Sequence, residues 1–190
     1  LGQGPFALVL LFCSPEAPIA NLILTASSYF PQADICGCTT AGEITRAGYD
    51  SGKIVAFALP RAGFEVEVLD IERAAEIDTR TLISGLLNAR QALTRRAHGM
   101  TQECAILLAD GLGGQEDALV AALSGGLGAV PMVGGSAGDG ARFEQTYLFS
   151  NGRMLDAGAV LCLLRGRCIF KSFSLDHTRP SAHRMIVTEA

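Results

Sequence analysis

With 190 residues, 49% apolar, 18% charged and 22 glycines, the chain can bury a sizeable core and is neither disordered nor fibrous in composition. A formal net charge of −4 excludes general nucleic-acid binding, which needs a basic footprint. The apolar run Ala157 to Leu164 falls far short of the ~20 residues that span a bilayer, and the first residues carry no secretory pattern, so a cytoplasmic protein without a membrane segment is expected.

FALVLLFC, from Phe6 to Cys13, has the length of a buried strand and runs into SPEAP, a helix start with Pro15 near its first turn. Ile19, Leu22, Ile23, Ala26 and Phe30 continue at helical spacing. ADICG is a second strand that enters the loop GCTTAGE, Gly37 to Glu43. Beyond Gly52, KIVAFAL and FEVEVLDI flank Pro60 to Gly63 and read as a β-hairpin. Asp78 is placed to cap a helix with a stripe of Leu82, Ile83, Leu86, Leu87, Leu93 and Ala97, closing at His98 and Gly99.

The opening order then returns. ECAILLAD reads as a buried strand, QEDALVAALSGGLG as a helix closed by glycines, and PMVGG as a strand entering GGSAGDG. TYLFSNGRML reads as a hairpin on the turn pair Asn151-Gly152, present in the second copy alone, with AGAVLCLL and CIFKSFSL as further strands. The segments Ala7–Gly37 and Ala105–Gly134 are nearly equal in length, and their loops match: a glycine entry, hydroxyl residues, Ala-Gly, then an acid. The expected fold is α/β, two duplicated β-α-β-β-β halves at about 6–71 and 103–176 with mixed sheets and outer helices, arranged as an αββα sandwich or as one continuous mixed sheet.

Function must then be sought in the loops. Gly37, Thr39 and Thr40 in the first, with Gly134, Gly135, Ser136 and Asp139 in the second, are candidate ligand-binding residues if the loops meet about a pseudo-twofold and offer backbone N–H groups. G-x-S-x-G at Ser136 also fits a hydrolase nucleophile with Asp176, His177 and His183 downstream, but the helix required after such a serine is replaced by ARFEQTYLFSNG, which reads as loop and hairpin. Asp110 at a strand end reads as a ligand contact or, by preference, as a cap for the next helix, and Glu43 with Asp139 form a weak acid/base pair. The cysteines read as core residues, Cys13, Cys104, Cys162 and Cys168 in apolar strand-like runs and Cys36 and Cys38 as C-x-C, which lacks zinc-site spacing. Arg165 to Ala190 carries five basic residues against two acidic ones, a candidate site for an anionic ligand.

GCTTAGEI, DGL before a helix starting QE, PMVGGSAGDG and TYLFSNG, in that order, resemble the N-terminal part of the FIST domain, a bacterial sensory module of signal transduction. The resemblance implies one non-catalytic sensory domain over residues 1–190, with the C-terminal FIST part lying beyond residue 190. The segment DHTRPSAHRMIVTEA is similar to the NosP-like branch, which implies haem b, nitric oxide sensing and control of a histidine kinase or cyclic-di-GMP enzyme, with a homo-oligomer as a further option. On that reading His177 is the haem-iron ligand with His183 in reserve, Arg179 and Arg184 pair with propionates, and Phe170 and Phe173 cover the macrocycle. A haem-free FIST domain sensing a small metabolite such as an amino acid is the alternative.

Overall fold

A computed structural model describes residues 4–174, 178–179, 181 and 184–188. The first strand, β1 (Phe6–Cys13), is apolar along its whole length because both its faces are covered. Leu8 and Leu10 point into one cluster of buried side chains, whereas Val9, Leu11 and Cys13 point into another. The latter cluster is closed by α1 (Ile19–Tyr29), which buries Ile19, Ile23 and Ala26 at helical spacing. No side chain caps α1; Ser14 accepts from the Glu16 N–H in the turn ahead of it, and Pro18 holds the N-cap position.

The strand β2 (Asp34–Thr39) returns parallel to β1. A small hairpin of β3 (Glu43–Thr45) and β4 (Gly48–Asp50) follows and forms a two-stranded sheet of its own. It stands where the second copy carries its hairpin, so that hairpin is common to both copies. The next strands are β5 (Ile54–Pro60) and β6 (Phe64–Ile71). They do not pair as the sequence pattern predicts: β5 lies antiparallel to β1, whereas β6 crosses to the other sheet. Pro60 to Gly63 therefore form an arch between layers, a geometry that alternation and turn residues do not distinguish from a hairpin.

Asp78 accepts from the Thr81 N–H at 3.0 Å and starts α2 (Thr79–Arg96), which buries Leu82, Leu86, Ala89 and Leu93 and leaves Leu87 exposed. Past its end Gly99 takes φ +73°, in the left-handed region that glycine tolerates. The second unit comprises β7 (Gln102–Ala109), α3 (Glu116–Leu127), β8 (Met132–Ser136), the hairpin β9 (Leu148–Ser150) and β10 (Arg153–Leu155), and β11 (Ala159–Gly166).

One sheet runs β10-β9-β2-β1-β5 and the other β6-β11-β7-β8. Side chains such as Leu8, Leu10, Val160 and Cys162 fill the space between them, and the outer face of the second sheet packs on α2 and α3 through Leu86, Leu93, Leu123 and Leu161. The layers are helix, sheet, sheet, helices, an αββα sandwich. Each sheet draws on both halves, since β6 of the first half joins the second sheet and the β9–β10 hairpin of the second half joins the first. CIFKSFSL forms no strand over its described residues. Both neighbours of β11 are already in place, β6 on one side and β7 on the other, so the following segment has no slot beside it. Cys168 is accordingly exposed, in contrast to the other five cysteines, which are buried.

Candidate functional site

The two glycine loops leave the C-terminal ends of the parallel pairs β1/β2 and β7/β8, the end of an α/β sheet where ligands approach. They meet. The Gly138 N–H donates to the Thr39 carbonyl at 2.9 Å, and a Cβ at Gly138 would stand 3.1 Å from the Ala41 nitrogen, a tight contact that glycine relieves where the loops touch. Thr39 is fully buried and holds the long loop of the second half: its N–H donates to the Tyr147 carbonyl at 2.9 Å and its Oγ1 accepts from the Tyr147 N–H at 3.0 Å.

Two buried carboxylates shape the walls. Glu43, 2% exposed, accepts from the Thr40 hydroxyl at 2.8 Å and from the Lys53 N–H at 3.0 Å. Asp139, its counterpart in the duplication, accepts from the N–H groups of Phe143, Glu144 and Gln145 at 3.0, 2.7 and 3.0 Å. The Gln145 and Glu144 N–H groups, with that of Phe143, hold the Asp139 carboxyl below the usual carboxylate range. Both carboxylates are thus engaged in organising the loops, a structural reason for an acid at the same place in each copy. Phe143 is carried at φ +53° with its side chain in solvent.

Between the loops lies a cleft of about 480 Å³, lined by Ser14, Glu16, Thr40, Glu43, Ser51, Asp139 and Arg142 among others. Arg142 donates to Glu16 at 3.0 Å, so an ion pair joins the second half to the turn before α1. Of the loop residues singled out in the sequence, Thr40 and Asp139 line this cleft. Gly37 sits inside β2, where a Cβ would meet the Leu11 carbonyl and the Phe149 ring at 2.3 Å. Gly134, Gly135 and Ser136 line a separate, smaller cleft beside α3. Ser14, Glu16, Ser51 and Arg142 were not singled out in the sequence; Ser14 carries a readable signal, since it ends β1 as Asp110 ends β7.

Ser136 does not occupy a nucleophile's position. It ends β8, no helix follows, and its hydroxyl donates to Glu116 at 3.2 Å. Asp110 does not cap α3, whose N-cap is Gln115; its Oδ1 instead accepts from the Thr146 hydroxyl at 2.5 Å and the Leu112 N–H at 3.2 Å. Burial pushes the Cys13 thiol up to about 12, with Cys38 and Glu43 adding to it, and burial likewise raises Cys38 to about 12. Both stay protonated and inert. Among the described residues no group of three or more His, Cys, Asp or Glu is gathered for a metal ion, and no helix is long and apolar enough to cross a membrane.

His177, His183 and Asp176 lie outside the described residues. Of the described members of the expected haem set, Phe170 turns towards Phe64, 6.2 Å between ring centroids, and packs against the inter-sheet core, whereas Phe173, Arg179 and Arg184 are exposed. By themselves they do not fit a haem, which needs an apolar slot flanking the macrocycle.

No curated protein matches the chain. The FIST N domain model matches residues 7–190, nearly the whole length, and the chain belongs to this family of sensory domains of signal-transduction proteins.

Proposed function

We propose that the chain is the ligand-binding part of a bacterial sensor, and that a small polar metabolite such as an amino acid enters the cleft between the two glycine loops. The observation that carries the reading is the junction of Gly138 with Thr39 and Ala41, which turns two duplicated loops into one site. Around it stand groups of both signs and several hydroxyls: Glu43 and Asp139 in the walls, the Arg142–Glu16 pair, and Ser14, Thr40 and Ser51. Such a lining suits a ligand with more than one polar group. A ligand held by both halves favours the arrangement in which both loops contact it, and that bias is the signal passed to a histidine kinase or a cyclic-di-GMP enzyme.

The test is thermal unfolding against a panel of amino acids and other small polar metabolites, run beside Arg142→Ala. A bound ligand at a hundred times its Kd stabilises by about 2.7 kcal/mol, and Arg142→Ala is expected to lower that gain without lowering the stability of the free protein. A hemin titration runs in parallel. If no metabolite stabilises the protein while hemin gives a saturable Soret band that shifts with nitric oxide, this reading gives way to a haem sensor.

A further inference from the structure

The outer edge of the second sheet takes no part in the cleft between the glycine loops. β8 ends the strand order, so its backbone pairs with β7 on one side and with no other strand among the described residues on the other. Proteins usually guard such an edge with charge, proline or a covering segment. β8 reads Met-Val-Gly-Gly-Ser, without charge or proline, and Val133 to Ser136 are exposed. Beside it α3 presents Ala118, Val120, Ala121 and Gly125 to solvent, and a small cleft of about 200 Å³ lies between Val120 and β8. From Ala118 to Gly138 the sequence contains no charged residue, although about half of these positions are exposed. A soluble surface ordinarily carries roughly a quarter or more charged residues, so this stretch has the composition of a covered one.

We propose that this edge is the twofold interface of a homodimer in which β8 pairs antiparallel with β8 of a second copy. The charge pattern selects that occupant. The nearest acid is Glu116, which accepts from Ser136 and so marks the C-terminal end of β8. Antiparallel pairing sets this end against Met132 of the other copy and holds the two Glu116 carboxylates roughly 13 Å of strand apart. Parallel pairing sets like charges side by side. A charged partner finds no counter-charge along the uncharged stretch, whereas a second copy supplies the same uncharged helix face and the same unpaired backbone groups, as a self-complementary interface requires. The small side chains at 118, 121 and 125 let α3 approach its copy, and the joined sheet runs continuously through both chains.

The inference is independent of what fills the cleft between the loops. Its test is sedimentation equilibrium over a wide concentration range. Wild-type protein is expected at twice the 19.9 kDa of one chain. Val133→Lys and Ala121→Glu, both at exposed positions and so compatible with folding by circular dichroism, are expected to weaken association at least about tenfold. Leu24→Lys, 70% exposed on α1, leaves the dimer intact. A wild-type protein of single-chain mass throughout, or a dimer that both edge variants leave unchanged, overturns the proposal.

Discussion

Glu43 shows how a buried acid can be held in place by organising a loop. Its carboxylate closes the first glycine loop by accepting one hydroxyl and one backbone N–H, both in part-buried hydrogen bonds. Glu43→Ala orphans the Lys53 N–H and is expected to cost about 1–3 kcal/mol in urea denaturation. Asp139 does the same for the second loop with three N–H groups. Its folded pKa lies below the unfolded value, so the stability it contributes is present above about pH 4 and is lost as pH falls through the lower folded value. Asp139→Asn is expected to flatten the acid limb of the stability curve in that window, read by denaturation at a series of pH values.

At the scale of the elements, two neighbouring glycines that look equivalent in PMVGG behave differently. A Cβ on Gly134 would lie 2.0 Å from the Leu107 carbonyl oxygen, so Gly134→Ala forces β8 away from β7 and is expected to cost about 1–3 kcal/mol. Gly135 has open space, and Gly135→Ala is expected to stay within about 0.5 kcal/mol. The second sheet is tied to its helix by charge as well. Glu103 on β7 accepts from Arg90 of α2 at 2.7 Å and from Arg165 of β11 at 3.2 Å. Burial pushes the Glu103 carboxyl up, but the two guanidiniums outweigh it and hold it low. Glu103→Gln is expected to cost about 1–2 kcal/mol, because Glu103 is 10% exposed beside guanidiniums that are 20–25% exposed, neither a surface pair nor a fully buried one.

The exchange of strands between the halves makes the chain a candidate for one cooperative unit. β6 finds its partner β11 in the other half, and β9 adds to β2 across the same divide. Neither half alone can complete its sheets, so the duplicated units are expected not to fold as separate fragments by circular dichroism. The full chain is expected to unfold in one calorimetric transition whose van't Hoff and calorimetric enthalpies agree.

Local physical signals in the sequence were enough to determine the long strands of both units, the helix stripes, the Asp78 cap and the match of the loops, but they missed the short β3–β4 hairpin and read a strand in CIFKSFSL. Buried strands are read from continuous apolar runs, and helices from side chains at a spacing of three and four, and both depend on residues close in the chain. Which strand joins which sheet was decided only in three dimensions. Pro60 to Gly63 serve equally as a hairpin turn or an arch between layers, and the difference lies in β11, a hundred residues away in the chain's second half. The same holds for the site. Thr40 and Asp139 were legible as members of repeated loops, but Glu16, Ser51 and Arg142 carry no pattern of their own and enter the cleft because the two halves pack loop against loop. Asp110 and Ser136 illustrate the converse: their motifs pointed to a helix cap and a nucleophile, whereas tertiary packing gave their side chains to Thr146 and Glu116. A side chain's partner is set by what the fold brings within about 3 Å, and sequence neighbours constrain that only when they are the partners.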